Sequence, residues 1–299
     1  QFGYPKRAER PDGQAVDVAA SLVAMIGAVR SALPDAQLVF NNVNDFPTWA
    51  TARTGQDAVY IEPWEPSSTL GSLAAVVKRA RSVAAGKPIS IAAYQHVYDS
   101  APAAESDLAT AFTMAMLFSH GATQILAGEA DRILVDPYYV RNHIAEASTT
   151  ALLTRWYDFL VEHDRLLMAD DIVDVTASYV GGYNDDCDVA YPHARAISQA
   201  EPGAVWRRVT SVGSALVVHL INLCGQSDTD WDAPRSTPIP QAGTLRFRLS
   251  GPSAPRVRVA DPDAEGRLIE VNVVIEGTHA TAQLPELGIW QVVMIGELS

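Results

Sequence analysis

The segment Ala58-Val59-Tyr60-Ile61-Glu62-Pro63-Trp64-Glu65 brings together the residue types of a sugar-cleaving site at close spacing. A short apolar run ends in the carboxylate of Glu62, and Pro63 stops the ladder because it has no N–H to donate. An indole, Trp64, follows two residues after the carboxylate. A strand end holds a carboxyl rigidly enough for proton transfer, and a flat indole face can stack on a pyranose ring. Read without chemistry, the same residues are a solvated strand edge. Their surroundings decide between the two.

The elements that would position these residues alternate. Residues 16–33 place Leu22, Ile26, Val29 and Leu33 on one face at helical spacing, and Pro34-Asp35 ends that helix. Residues 37–42 read as a strand, followed by a polar loop through Asn44, Asp45 and Pro47, with Ala58–Glu62 as the next strand. Leu70, Leu73, Val77, Ala80 and Ala84 mark a helix closed by Gly86. A strand over 89–93, a helix carrying Leu108, Phe112 and Met116, a strand over 123–127 and a helix over about 149–163 complete the pattern.

Strands each followed by a helix imply parallel pairing with right-handed crossovers, which a barrel and an open doubly wound sheet both satisfy. The chain has no glycine-rich phosphate loop, which argues against a nucleotide-binding sheet. Polar and aromatic residues gather directly after each strand instead: Asn41, Asn42 and Asn44; Glu62 and Trp64; Tyr94, Gln95 and His96; Glu129 and Asp131. That is the arrangement of a barrel's active end. Four strands in about 165 residues make half of an eight-stranded barrel.

From about Ile172 the texture changes. Short alternating segments at 204–212, 214–223, 244–249, 256–260, 269–275, 278–284 and 289–295 are separated by Gly, Pro and Asp turns. Regular short strands with turn signals predict an antiparallel sandwich. Residues 233–240 are too Pro-rich for a strand and read as a loop. The expected division is therefore a parallel α/β part over 1–170 and an antiparallel β-sandwich over 171–299. In that division Trp231 and Trp290 read as sandwich core, and His96 and His219 as structural.

Composition narrows the ligand. A net charge of −13 on 299 residues argues against nucleic acid and against an anionic membrane surface, and suits a neutral or cationic ligand. No stretch reaches the roughly 18 apolar residues of a membrane helix. Cys187 and Cys224 show no zinc spacing and allow at most one disulfide. No set of His and carboxylates has metal-ligand spacing, and no motif asks for a cofactor.

Taken together, QFGYPK, NNVNDFP, VYIEPWE, LAGEADRILVDPYY and HLINL…WDAPRSTP, in that order along the chain, resemble glycoside hydrolase family 66. This family holds dextranases and cycloisomaltooligosaccharide glucanotransferases. The resemblance implies a (β/α)8 barrel of which this chain carries strands five to eight, followed by a C-terminal β-sandwich. It implies a retaining mechanism with an Asp nucleophile on the fourth strand and a Glu acid/base on the sixth. Counting strands makes Glu62 the acid/base, with Trp64, Asn42, Asn44, Tyr94, Gln95 and Glu129 as substrate contacts. The nucleophile stands before a Gln-Phe/Leu-Gly context in the family, so it would immediately precede Gln1. A retaining site needs both carboxyls about 5–5.5 Å apart, and neither Asp12 nor Asp45 matches the family position.

The resemblance also implies an α-1,6-glucan (dextran-like) substrate and an extracellular setting, since dextran is too large to enter a cell. Glucanotransferase members insert a carbohydrate-binding module between strands seven and eight. Only about 27 residues separate Tyr94 from Gly121, which favours hydrolysis over cyclisation. The alternative from another class is a carbohydrate-binding barrel remnant without catalysis.

Overall fold

The computed structural model describes residues 8–137, 142–179, 186–251 and 253–298. The QFGYPK segment, Tyr138, Tyr139 and Arg141 lie outside them. The N-terminal part holds α1 (Val18–Ala32), β1 (Val39–Val43), β2 (Ala58–Glu62), α2 (Leu70–Ala84), β3 (Ile89–Ile91), α3 (Ala103–Ser119), β4 (Thr123–Gln124) and α4 (Ala147–Glu162). The strands β1 to β4 form one parallel sheet in sequential order. Strand order thus follows chain order with no reversal, unlike a doubly wound sheet.

The ends of these elements follow from local chemistry. Thr69 caps α2, accepting from the Ser72 N–H while the Ser72 hydroxyl receives the Thr69 N–H, so two orphan donors are satisfied reciprocally. The helix stops at Ala85 and Gly86, both with positive φ (53° and 83°). After β1 the chain turns through Asn44 and Asp45, again with positive φ (53° and 62°), which these residue types tolerate better than most. Strand ends are shorter than the sequence predicts. Residues 92–93 leave the third strand, and the fourth stops at Gln124.

Period two separates the faces of this sheet. Val59, Ile61, Ile89 and Ile91 are fully buried under α2 and α3. The alternate residues Val39, Tyr60, Ser90, Thr123 and Ile125 are half-buried or exposed, Val39 at 56% and Ile125 at 37%. One face of the sheet carries the apolar core, and the other is open.

The C-terminal part holds β5 (Val173–Asp174), β6 (Cys187–Ala190), β7 (Ala196–Ile197), β8 (Val205–Val212), β9 (Ala215–Asn222), β10 (Thr244–Arg248), β11 (Val257–Ala260), β12 (Ile269–Val271), β13 (Val273–Glu276), β14 (His279–Gln283) and β15 (Trp290–Ile295). One sheet runs β7-β8-β9-β15-β11-β12 with β5 also on β8, and the other runs β6-β10-β14-β13. All pairs are antiparallel except β7 with β8. The segment expected as a single strand over 269–275 is two strands on different sheets. The chain changes sheet at Asn272, where β12 ends and β13 begins.

The larger sheet is packed on both sides. Val205, Val209, Val218, Leu220 and Val293 face the smaller sheet, with Leu245, Phe247 and Ala282 opposite. Trp206, Val217, Trp290 and Val292 face the helices and join one core with Leu73, Phe112, Phe118, Trp156 and Phe159. The texture break near residue 170 therefore crosses a continuous hydrophobic core. Cys187 and Cys224 are free and buried, so no disulfide forms. Among the described residues no helix is long and apolar enough to cross a membrane.

Candidate active site

Glu62 closes β2 and is 8% exposed. Its register partner on β1 is Val43, so Asn41, opposite Tyr60, lies on the same face two residues earlier. Asn41 Nδ2 donates to Glu62 Oε2 at 2.7 Å, and the indole Nε1 of Trp64 donates to Oε1 at 2.9 Å. Two donors from different elements fix the plane of the carboxyl, as a proton-transferring group requires.

The backbone around it is equally tied. The Asn44 N–H donates to the Glu62 carbonyl at 2.7 Å. The Asn44 amide donates to the Glu65 carbonyl and accepts from the Trp64 N–H. Asn44 thus shapes the loop that presents Trp64. Arg79 on α2 holds Asp45 at 2.8 Å, so that carboxylate belongs to an ion pair.

Pro63 and Trp64, which follow Glu62, begin the lining of a cleft of about 270 Å³ completed by Glu65, Tyr94, His96 and the segment Asp230–Asp232; Glu62 reaches it through its bond to Trp64. That volume lies just under the roughly 300–1,000 Å³ of small-molecule sites. The Trp64 ring lies 6.2 Å from Tyr94 and 6.4 Å from His96, tilted against both. The His96 Nδ1 sits 2.7 Å from Asp232 Oδ2. That hydrogen bond, against the opposing effect of burial, raises the imidazole pKa, helped by the charges of Asp232, Asp136 and Asp99.

Of the residues expected from the sequence, the structure brings together Glu62, Trp64 and Tyr94, with Asn44 supporting them. Three others are placed elsewhere. Asn42 is fully buried on the helix side of β1, donating to the Phe40 and Tyr60 carbonyls and accepting from Thr51 at 2.5 Å. Its amide satisfies backbone rather than sugar hydroxyls. Gln95 is likewise fully buried and donates to Thr113 Oγ1 and to the Trp231 carbonyl. Glu129 is exposed and is not among the residues lining the cleft.

Sequence reasoning missed Asn41 as the partner of Glu62. Strand alternation carries that signal, because positions 41 and 43 share a face and 42 does not. It also placed Trp231 in the sandwich core and His96 among structural residues, whereas both line the cleft. Nothing local announces that pairing, since His96 and Asp232 are 136 residues apart. Among the described residues, no group of three or more His, Cys, Asp and Glu side chains could hold a metal ion.

The family model of glycosyl hydrolase family 66 matches residues 1–294, and the chain belongs to that family. Its fold matches a cycloisomaltooligosaccharide glucanotransferase from Paenibacillus sp., solved with cycloisomaltoheptaose, at a TM-score of 0.82 and 16% identity over 96% of this chain. The chain spans 61% of the length of that protein. An α-amylase from Geobacillus thermoleovorans, solved with acarbose, matches at a TM-score of 0.50 and 11% identity, over 94% of this chain and 58% of the other. No curated protein matches the chain. The architecture is thus a mixed α/β structure, with one parallel and two principal antiparallel sheets among the described residues, close to that glucanotransferase.

Proposed function

We propose that residues 1–170 are the second half of a (β/α)8 barrel and residues 171–299 a C-terminal sandwich, and that Glu62 is the acid/base of a retaining hydrolase of α-1,6-glucan. The sequential parallel order of β1 to β4 and the open face of their sheet support the half-barrel reading. The observation that carries the chemistry is the carboxyl of Glu62, held at a strand's C-terminal end by Asn41 and Trp64 beside an aromatic cleft. Trp64 and Tyr94 supply faces for a neutral sugar ring.

In this reading Glu62 protonates the leaving glycosidic oxygen and then, as carboxylate, takes a proton from the attacking water. The nucleophile is a second carboxyl, proposed to lie on the strand ahead of Gln1. Asp45, paired with Arg79, does not supply it. Hydrolysis is favoured over cyclisation because β3 and β4 are joined only by the short helix Val97–Ser100 and by α3, with no inserted module. The glucan is too large to cross a membrane, which supports an extracellular setting.

The test is dextran hydrolysis by the protein carrying the residues encoded ahead of Gln1. Glu62→Gln is expected to lower kcat by about 10²–10⁴-fold, with linear isomaltooligosaccharides as the wild-type products. Added azide should restore turnover of an activated glucoside, because azide attacks the glycosyl intermediate without needing a base. Undiminished dextran hydrolysis by Glu62→Gln would remove Glu62 from the mechanism. Cyclic products would move the protein to the transferases.

A further inference from the structure

The connection between β9 and β10 covers residues 223–243. These two strands lie on different sheets, and loops beyond about 12–15 residues without secondary structure usually carry function or are disordered. This one is tied along its length to the α/β part. The Leu70 N–H donates to the Thr229 carbonyl, and the Trp231 N–H donates to Ser68. Trp231 Nε1 donates to the Ser67 carbonyl at 2.6 Å. Gln95 and Thr113 donate to the Trp231 carbonyl from beneath. The Val97 N–H donates to Asp232 Oδ1 at 2.9 Å.

Inside the loop, the guanidinium of Arg235 is 2% exposed and acts as a clamp. It donates to the Asp228 and Asp230 carbonyls and pairs with the Asp228 carboxylate at 2.8 Å. Anchoring is therefore done by backbone groups, Trp231 and Arg235, with one bond from Val97 and one to His96 at the Asp232 carboxylate. The side chains of Asp230 and Asp232 are left at the cleft, across from Trp64 and Tyr94. Asp232 uses one lone pair for Val97 and one for His96. An ionised carboxylate offers about four such sites, so two remain for hydroxyl donors.

We propose that this sandwich loop is the second wall of a sugar subsite, in which Asp232, assisted by Asp230 at the rim, accepts hydroxyl hydrogen bonds from one neutral pyranose resting on Trp64. The sandwich then contributes to substrate binding as well as to stability. The inference rests on reading the cleft as an α-glucan site. Three carboxylates at its edge, Glu65, Asp230 and Asp232, bias the subsite against anionic sugars and toward uncharged ones.

The experiment titrates the 299-residue chain with isomaltotriose, read by tryptophan fluorescence and calorimetry. Wild type is expected to bind. Asp232→Asn should weaken binding on the order of tenfold or more, as loss of hydrogen bonds to a charged group does, and Asp230→Asn by less. If Asp232→Asn unfolds, Asp230→Asn, on an exposed position, decides the question. Binding unchanged in the folded variants but lost in Trp64→Ala would overturn the role of the loop and leave the glycan cleft standing. No binding by wild type would also overturn the subsite, since all its residues are present. The hydrolase reading would still rest on the separate Glu62→Gln experiment.

Discussion

Two of the contacts between the antiparallel sheets and the α/β part are built on opposite principles. At the first, Trp290 is fully buried, stacked between Trp156 at 5.9 Å and His219 at 6.1 Å, with Phe159 edge-on at 5.3 Å. At the second, the loop carrying Asp232 lies on Ser68, Gln95 and Val97 through hydrogen bonds, and half of its groups face solvent. Apolar burial is non-directional, so the first contact supplies free energy and tolerates small shifts. Hydrogen bonds fix distance and angle while contributing little net energy each. The dry contact holds the two parts together, and the polar seam sets where the cleft wall stands.

This comparison predicts its largest effect at Trp290. Trp290→Ala should cost about 3–5 kcal/mol, as large-to-small aromatic truncations in cores do. The measurement is the denaturant midpoint. Trp290→Phe should cost less, because the indole Nε1 is buried without a partner among the described residues and its removal relieves that cost. A loss under about 1 kcal/mol for the alanine variant would mean that the seam, not the core, joins the parts.

Both principles differ in how well they show in the sequence. The dry contact rests on patterns of period 3.6 and 2, so α2, α3, α4 and the β8-β9 hairpin could be read directly, along with Glu62 and Trp64 at the end of β2. The seam rests on pairings between residues more than 110 positions apart, such as Gln95 with Trp231. No local propensity encodes these, so Trp231 was assigned to the wrong core. The choice of Asn42 over Asn41 has a different cause. Both are polar residues at a strand end, and only the register against Tyr60 and Glu62 tells which one faces the carboxyl.

At the seam itself, Arg235→Lys keeps the charge but loses the planar fork that reaches two carbonyls and a carboxylate. The expected stability loss is about 1.5–3 kcal/mol, smaller than at Trp290, with weaker isomaltotriose binding. If stability falls with unchanged binding, the clamp serves folding alone.

Acid should act on the dry contact next. His120 and His219 are fully buried, and burial first, then the charge of Arg208, holds both well below the ordinary 6.5. They stay neutral when folded and accept protons when unfolded, so each removes about 1.4 kcal/mol per pH unit below 6.5. Asp261 works the other way. Burial and Asp263 raise it to about 6, so below that pH the folded state takes up a proton that the unfolded state does not. Two imidazoles against one carboxyl leave a net slope of about one proton between pH 6 and 4. For Asp174, burial alone would raise the pKa, but Arg208, Thr176 and Lys78 lower it, so its contribution is lost only below its ordinary 3.8. Unfolding midpoints at pH 7.5 and 5.5 check this, and His219→Gln should flatten the profile. A profile already flat in wild type would break the assignment.

The smallest predicted effect has the opposite sign and belongs to the seam. His96 is 47% exposed at its side chain, and its pKa is raised chiefly by the hydrogen bond to Asp232. Asp136 and Asp99 add to the shift, and Glu65 and Asp230 share the cleft. A group with a raised folded pKa stabilises fully below the unfolded value of 6.5 and loses that contribution as pH rises through the folded value. Exposed pairs of this kind give under about 1 kcal/mol, so the effect should barely move the denaturant midpoint. It should appear instead in the ring-proton resonance of His96, whose titration is expected above pH 6.5 in wild type and lower in Asp232→Asn. The stability difference between wild type and His96→Gln should then shrink from pH 5.5 to pH 8, while the buried imidazoles make the whole protein more stable over the same interval. A His96 titrating at or below 6.5 would mean that Asp232 is not bonded to it in solution, and the seam would lose its anchor at the cleft.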